Sequence, residues 1–328
     1  MKKHKYFLVL AAVMGMTTSC EKDDNTQNID NNRIPQIIAD NFNLSLFNVT
    51  ATRSNLLESL YGKGPYTVLA PSDAAFQSAG YLDNKAILSA DYQLIFKLAG
   101  YHVLQGRYEL NKLPFLFNQE VQSMSGGKLF VTRWVKNGDT TVTVNGSRVL
   151  TNQVPASNGI IEVLDRVLEP YAHNTVVDGV AGETSLTLFS QALVRSGLDK
   201  ELAGKGPFTV YAPNNTAMIA MGYPTVQAIN AANPTTLANI VRYNIVADRR
   251  FINDYFLSAS NTVGSTQGMI DGNSVKITFV PDPASPGAYK GITLLGTGNT
   301  SPVNVTRRDI NTGNGVIHIV DQVLKITQ

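Results

Sequence analysis

Residues 62–71 read GKGPYTVLAP and residues 204–213 read GKGPFTVYAP, so eight of ten positions are identical at an offset of 142 residues. The same offset relates Tyr101 to Tyr243 without a gap. Identity of this kind at a fixed, domain-sized spacing indicates that one unit has been duplicated in tandem. The chain therefore contains two related modules, and any function belongs to the pair.

The closing segments of the two units also match. Residues 158–168 read NGIIEVLDRVL and residues 314–324 read NGVIHIVDQVL, at an offset of 156. The second unit thus carries 14 extra residues (156 − 142), which we expect mainly in its proline-rich hairpin loop, where insertions are tolerated. Each unit has the length of an independent domain. The sequence predicts two domains, at 34–171 and 172–328.

The N-terminus has the pattern of a secretory signal peptide. Three lysines precede an apolar run at 6–16, and small residues then lead to Cys20, the only cysteine of the chain. The run is shorter than the roughly twenty residues that cross a bilayer. The segment resembles the lipobox of Bacteroidetes lipoproteins, although Thr17 stands where leucine is usual. We predict that 1–19 is a signal peptide and that Cys20 is lipidated.

Residues 20–33 are polar and predict a flexible tether behind the lipid. Residues 22–24, Lys-Asp-Asp, resemble an export signal that sends such lipoproteins to the outer face of the outer membrane. Removal of 1–19 changes the formal net charge from +2 to −1 (2 − 3), which gives no electrostatic reason to bind nucleic acid. The expected partners are the membrane, through the anchor, and a protein or glycan ligand at the cell surface.

The local pattern of each unit predicts helices first and strands later. Helical apolar spacing ends at the Gly-rich segment, and residues 66–70 then form a short strand with both faces buried. Ser72 or Asp73 caps a following helix that turns Phe76 inward. Asn-Gly at 137–138 predicts a tight hairpin. Helices followed by hairpins and a buried last strand, expected at 159–168 and 315–326, indicate the α+β class.

These motifs resemble the fasciclin (FAS1) domain family. Residues 67–76 are similar to its first signature box, the Tyr-His pair at 101–102 to its central motif, and 158–168 to its closing box. The resemblance covers nearly the whole mature chain, twice. It implies two tandem domains, each a wedge-shaped β-sandwich with a bundle of short helices, in secreted or membrane-anchored modules that serve adhesion and matrix or glycan contact. The motif positions expected to serve structure or partner contact are Thr67, Pro71, Asp73, Phe76, Tyr101, His102, Asn158, Gly159, Asp165, Thr209, Pro213, Tyr243, Asn314, Gly315, His318 and Asp321.

The two copies depart from the family pattern in opposite ways. Repeat one keeps His102 but has Glu162 in its closing box, whereas repeat two keeps His318 but has Asn244 after its tyrosine. Neither repeat has both histidines, which argues against a site that needs the pair. We expect the histidines to be hydrogen-bonded packing residues, the closing Asn-Gly to form a turn with positive φ, and the two closing-box aspartates to cap or pair locally.

The sequence gives no sign of catalysis, a cofactor or a metal site. It lacks a Gly-x-Ser-x-Gly elbow, and its one cysteine lies in the anchor. Aromatic side chains near predicted loops are better candidates for ligand contact, since a ring can stack on a sugar or on an apolar patch. They are Tyr108, Trp134, Tyr171, Tyr223, Tyr255 and Tyr289, of which Trp134 and Tyr289 are the chosen candidates.

Three hypotheses follow for the function. The leading one is a non-enzymatic surface lipoprotein that mediates adhesion or binding, with two sites that gain avidity from a shared tether. The alternative is an accessory glycan-binding lipoprotein of a polysaccharide uptake system. A third is a structural protein that links other components of the envelope, and enzyme activity ranks below all three.

Overall fold

The computed structural model of the protein describes residues 30–283 and 288–327, so the predicted signal peptide and Cys20 lie outside the described residues. Both repeats fold within one compact unit, Asn32–Gln328. Within the described residues, none of the helices combines the length and apolar character that a membrane crossing requires.

Repeat one begins with helices, interrupted by its first strand, and ends with strands. Its helices are α1 (Ile34–Asp40), α2 (Ser45–Arg53), α3 (Leu56–Leu60), α4 (Asp73–Ser78), α5 (Asn84–Ser89) and α6 (Tyr92–Tyr101). Its strands are β1 (Tyr66–Pro71), β2 (Val103–Gln105), β3 (Gln119–Gln122), β4 (Lys128–Lys136), β5 (Asp139–Val144), β6 (Ser147–Ala156) and β7 (Gly159–Leu164).

Repeat two follows the same order, with one additional helix. Its helices are α7 (Val176–Gly182), α8 (Thr187–Ser196), α9 (Leu198–Leu202), α10 (Asn215–Ala220), α11 (Val226–Ala231), α12 (Pro234–Arg242) and α13 (Ile252–Ser258). Its strands are β8 (Phe208–Pro213), β9 (Ile245–Val246), β10 (Gly264–Gly268), β11 (Ser274–Pro281), β12 (Tyr289–Leu295), β13 (Val303–Thr312) and β14 (Gly315–Val320).

The two sheets have the same topology. Their strand orders are β2-β1-β7-β6-β5-β4-β3 and β9-β8-β14-β13-β12-β11-β10. In each sheet the strand of the first signature box pairs in parallel with the closing strand, β1 with β7 and β8 with β14, whereas the other pairs are antiparallel. The first-box and closing-box segments are therefore adjacent strands in each sheet.

Each repeat has two apolar cores, one on either side of its central strands. In repeat one, Phe47 and Phe76 belong to the core beneath the helices, while Leu69 and Val131 belong to a second core within the curved sheet. Repeat two divides its buried residues in the same way. Full burial of such a side chain contributes about 2 kcal/mol, so these cores supply most of the folding energy. The structure confirms the α+β class.

Two expectations about segment lengths are wrong. The closing strands end at Leu164 and Val320 instead of running to residues 168 and 326. The extra residues of repeat two are also spread over three places. The β11–β12 hairpin is four residues longer than the β4–β5 hairpin, the β12–β13 connection is six longer than the β5–β6 turn, and the remaining four precede β11.

Candidate functional site: the junction between the repeats

The closing-box asparagine is a buried clamp. Asn158 Oδ1 accepts a hydrogen bond from the Ile34 amide (3.0 Å), while its Nδ2 donates to the carbonyl oxygens of Leu60 (2.7 Å) and Gly62 (3.0 Å). One side chain thus joins the start of α1, the end of α3 and the start of β7. In repeat two the same three bonds join Asn314 to Val176, Leu202 and Gly204.

The expected positive φ at this Asn-Gly pair is wrong. Neither Asn158 nor Gly159 has a positive φ. Glycine is required there because the chains approach closely, and a Cβ on Gly159 would lie 2.1 Å from the Tyr66 carbonyl oxygen. The left-handed residue is Gly64, on the facing loop (φ +69°). Ser157 and Asn158 form the expected turn between β6 and β7, and Gly159 allows β1 and β7 to meet in parallel.

The central motif positions are also occupied by buried, hydrogen-bonded side chains. His102 Nδ1–H donates to the Leu98 carbonyl (2.8 Å), and the Leu168 amide donates to His102 Nε2 (2.9 Å). Burial lowers the pKa of His102 to about 4, so the ring is neutral at physiological pH. In repeat two, the side-chain amide of Asn244 makes the two equivalent hydrogen bonds. Its Nδ2 donates to the Ile240 carbonyl, and its Oδ1 accepts from the Leu324 amide.

At the other variable position, Glu162 and His318 receive the same bond. Gln153 and Asp309 occupy equivalent bulges with positive φ, and their amides donate to Glu162 Oε2 (3.0 Å) and His318 Nδ1 (3.1 Å). His318 Nε2–H also donates to the Arg250 carbonyl (2.9 Å). Burial raises the pKa of Glu162 to about 7 and lowers the pKa of His318. Both side chains therefore favour a neutral form.

The remaining motif positions stabilise strand and helix ends. Thr67 Oγ1 donates to the Gly106 carbonyl, and Asp73 accepts from the Leu46 amide at the start of α2. Asp165 accepts from the Arg148 amide, which agrees with the expected local pairing. Pro71 ends β1, and Tyr101 OH donates to the Lys128 carbonyl. The equivalent positions of repeat two make the same kinds of contact. Thr209 Oγ1 donates to the Asp248 carbonyl, and Tyr243 OH donates to the Ser274 carbonyl. Asp321 accepts from the Asn304 amide, and Pro213 ends β8.

A buried polar network joins the two repeats through α13. Asp254 is fully buried and accepts hydrogen bonds from Thr132 Oγ1 (3.0 Å) and Asn118 Nδ2 (3.2 Å) of repeat one. It also accepts from the Phe251 amide of its own helix (2.9 Å). Burial raises the pKa of Asp254 to about 7, although these hydrogen bonds oppose the shift.

A buried arginine supports the same junction. The Arg249 guanidinium lies 3.7 Å from the centre of the Phe130 ring of repeat one and donates to the Gly315 carbonyl of repeat two (2.6 Å). Phe130, Phe251 and Val316 form a small apolar cluster beside it. The sequence analysis missed Arg249, although an arginine at the equivalent position, Arg107, is visible in the repeat alignment.

An ion pair lies at the edge of the junction. Arg166 Nη1 of repeat one is 2.6 Å from Asp309 Oδ2 of repeat two. Burial raises the pKa of Asp309, but Arg166, His318, Arg308 and the hydrogen bond from the Ile252 amide together outweigh it and hold this pKa below the usual value. Asn253 Nδ2 adds a hydrogen bond to the Gly146 carbonyl (2.6 Å). The repeats thus form one packed body.

A cavity of about 590 Å³ opens between the repeats beside these contacts. We call it the junction cleft. Its wall on repeat one comes from β5 and its neighbours, and its wall on repeat two from α13 and the start of β12. The lining residues are Lys136, Asn137, Asp139, Thr141, Thr143, Arg148, Asn253, Phe256, Leu257, Thr262, Ala288 and Tyr289.

The structure separates the two chosen aromatic candidates. Tyr289 lines the junction cleft, stacks on Phe256 (centroids 4.8 Å apart) and donates its hydroxyl to the Thr262 carbonyl. Trp134 lies on β4 of the repeat-one sheet and packs against Phe117, outside the cleft lining. Their role in ligand binding stays a prediction. Among the six aromatics of the wider set, Tyr255 is only 1% exposed, so its expected position at a loop surface is wrong.

The described part of the chain contains no cluster of three His, Cys, Asp or Glu side chains that could hold a metal ion. The buried titratable groups, Glu162, Asp254 and His318, are engaged in hydrogen bonds that maintain the fold. The geometry of the junction thus offers a cleft for a bound molecule.

Comparison with known proteins defines the class. A family model described as the fasciclin domain matches residues 42–170 and 184–326. The chain belongs to the fasciclin domain family, as its motifs predicted, and it consists of two tandem fasciclin domains.

Several known proteins share this similarity. The chain is 27% identical to human periostin over 277 residues and 24% identical to the transforming growth factor-beta-induced protein ig-h3 of Sus scrofa over 277 residues. These matches cover 83% and 84% of the chain but only 29% and 37% of the relatives, so the chain spans about a third of their length. Protein sll1483 of Synechocystis is 33% identical over 139 residues, covering 42% of the chain and 73% of that protein.

The comparisons also match the chain to a solved structure. It is a fasciclin domain pair from the insect cell adhesion molecule fasciclin I, with 19% sequence identity and a TM-score of 0.40. The match covers 85% of this chain and 95% of that one.

Proposed function

We propose that this protein is a non-enzymatic adhesion or binding protein of the cell surface, fastened to the outer membrane by a lipid on Cys20. Family membership supports the class of function, and the N-terminal pattern supports the location. The observation that carries the proposal is an exposed aromatic pair on α6 of repeat one, which has no counterpart in repeat two.

Tyr92 and Phe96 stack on the outer side of α6, with ring centroids 6.2 Å apart. Phe96 is 52% exposed and also lines a cavity of about 530 Å³ together with Leu56 and Met124. Exposed aromatic and methionine side chains are enriched where proteins contact partners. The equivalent residues on α12 are Pro234 and Ala238. Because the helices are otherwise equivalent, packing of the fold does not require the aromatic pair.

The partner role of α6 is tested by attachment of cells that display the protein. We expect the double substitution Tyr92→Ser and Phe96→Ser to reduce attachment severalfold without lowering thermal stability. The matched control is Ile219→Ser, because Ile219 is also 52% exposed but lies on repeat two. Equal attachment by the double variant and the control would contradict the role of α6.

Anchoring and orientation need a separate measurement. Labelled palmitate should enter the wild-type protein and not the Cys20→Ser variant, and protease added to intact cells should remove both repeats. Incorporation that persists in the variant, or full protection from protease, would exclude the proposed surface anchoring. Crosslinks only to other envelope proteins, with no external ligand, would favour the linking role instead.

A second candidate function is that of an accessory glycan-binding lipoprotein of a polysaccharide uptake system. The junction cleft favours it, because Tyr289 places an aromatic ring beside a wall of hydroxyl and charged side chains. Deletion of the gene would then slow growth on a polysaccharide while growth on the corresponding monosaccharide stayed normal. Equal growth on both carbon sources would count against this candidate.

A further inference from the structure

The polar wall of the junction cleft is a regular row of side chains. Asp139, Thr141 and Thr143 alternate along β5, so all three lie on the face opposite Val142 and Val144, which point into the core. Alternate residues of a strand are about 7 Å apart, and the row therefore extends about 14 Å. A ligand that uses the whole row must be elongated.

Ionic groups at this wall are available to a ligand. Among the described residues, the side chains of Asp139 and Arg148 form no hydrogen bond or ion pair. Arg148 pairs across the sheet with Thr143, so the guanidinium lies at one end of the row and the Asp139 carboxylate at the other. The wall thus presents an acceptor, the Thr141 hydroxyl and a cationic donor in sequence, whereas Thr143 is only 1% exposed.

The opposite wall is mainly apolar and held in place. Phe256 and Leu257 of α13 are nearly buried, and Tyr289 stacks on Phe256 at an interplanar angle of 28°. Phe279 contacts Tyr289 as well (centroids 5.2 Å apart), so two neighbours restrict the tyrosine ring. Asn253 adds a side-chain amide at this wall. An aromatic and aliphatic surface facing a polar row suits a molecule with one apolar face and a hydroxylated edge.

The architecture disfavours two other ligand classes. A peptide strand cannot extend the sheet here, because β5 is already paired on both edges, with β4 and β6. A purely apolar ligand would leave Asp139 and Arg148 desolvated and unpaired, which is costly. The carbon face and hydroxyl edge of a sugar ring match both walls.

We propose that the junction cleft binds an extended oligosaccharide of two or three residues, with sugar hydroxyls bonded to Asp139, Thr141 and Arg148 and one ring against Tyr289. The cavity volume lies within the usual range for small-molecule sites. The inference deepens the second candidate function and rests on it. It also explains why the site needs both repeats, since each supplies one wall.

The test is titration of the full-length protein in detergent with defined neutral and uronate-containing oligosaccharides. We expect at least one trisaccharide or longer chain to bind. Asp139→Ala and Thr141→Val should each weaken binding about tenfold, as should Tyr289→Ala. Asp139 is exposed, so its substitution leaves the fold intact. If Tyr289→Ala is poorly folded, the binding measured for Asp139→Ala decides whether the ligand lies in the cleft. Tyr61→Ala is the matched control, because it removes an exposed tyrosine that does not line the cleft.

Two results would overturn the proposal. One is the absence of binding across the whole panel. The other is binding that Trp134→Ala abolishes while Asp139→Ala and Tyr289→Ala leave it unchanged, since the sugar would then lie outside the cleft. Either result leaves the adhesion proposal standing if cell attachment still depends on Tyr92 and Phe96, so the two failures are distinguishable.

Discussion

Repeat one carries Glu162 at the position where repeat two carries His318, yet both side chains accept the same hydrogen bond from the amide of an equivalent bulge residue. A similar exchange relates His102 to Asn244, which make matching bonds from the end of one helix to the closing segment. The fold therefore requires a hydrogen-bonding group at these positions rather than a particular side chain. The histidines of the family pattern are structural here, in agreement with the sequence analysis.

What differs between the repeats lies on their surfaces. Repeat one exposes the stacked pair Tyr92 and Phe96, and repeat two has the longer hairpin from which Tyr289 reaches the junction cleft. Equivalent cores thus support unequal surfaces. We therefore expect binding sites on the surfaces that differ between the repeats and at the junction where the repeats pack together.

The largest expected effect tests whether the asparagine clamp is equally important in both copies. Asn158→Ala and Asn314→Ala each remove three buried hydrogen bonds and leave their backbone partners unpaired, so each should lower the free energy of unfolding by about 3 to 5 kcal/mol. Urea denaturation measures the loss. The control Asn239→Ala, on an exposed position of α12, should cost nothing. A loss of stability in only one of these two variants would show that the asparagine is not equally important in both repeats.

The second prediction concerns pH at the Glu162 position. The pKa of Glu162 is about 7 in the folded state and about 4.5 ordinarily. Its contribution to the free energy of unfolding is therefore fully present below pH 4.5 and is lost as the pH rises through 7. Replacement by Gln should therefore remove about 3 kcal/mol of the decline in stability between pH 4.5 and 8. Unfolding free energies measured across this range provide the test. An unchanged pH profile in the variant would contradict it.

His318 has the opposite sign at the equivalent position. Its folded-state pKa is lowered, so its contribution is present above the unfolded value near 6.5 and is lost as pH falls below it. Replacement of Glu162 by Gln should leave this acid-side loss in place, which serves as an internal control within the same titration.

The third prediction compares an ion pair at the junction with one on the surface. Asp309 is 2% exposed, so Arg166→Ala should cost about 2 kcal/mol by leaving a buried carboxylate with only the more distant Arg308, at 3.9 Å. Arg242→Ala breaks an exposed pair with Glu201 within repeat two and should cost less than about 0.5 kcal/mol. Thermal unfolding of both variants checks the ranking. Equal costs would mean that the junction pair adds nothing.

The smallest expected effect is an exchange between the repeats. His102→Asn introduces the residue that repeat two uses, and it should cost only about 1 kcal/mol, for the lost ring contact with Phe47. His102→Ala removes both hydrogen bonds and should cost about 3 kcal/mol. Chemical denaturation separates the two values. If the Asn variant were as unstable as the Ala variant, the two side chains would not be interchangeable.

Much of the fold could be predicted from local pattern. Strand β1, the Ser72 cap of α4 and the buried Phe76 follow from residues adjacent in sequence, and the structure confirms them. The function of Asn158 could not be predicted in the same way, because its three partners lie between 96 and 124 residues away. An Asn-Gly pair usually indicates a turn, and only the strand pairing shows that the glycine is needed for close approach.

By itself, the sequence determined that one α+β unit occurs twice, that it belongs to the fasciclin type, and which residues form its central strands, since these follow from repeat spacing and apolar pattern. The tertiary structure alone decided how the copies pack, which buried Arg249 and Asp254 and created the junction cleft. The physical reason is that contacts between two folded surfaces leave no periodic signal in the chain. They depend on complementary side chains that come together only after each repeat has folded.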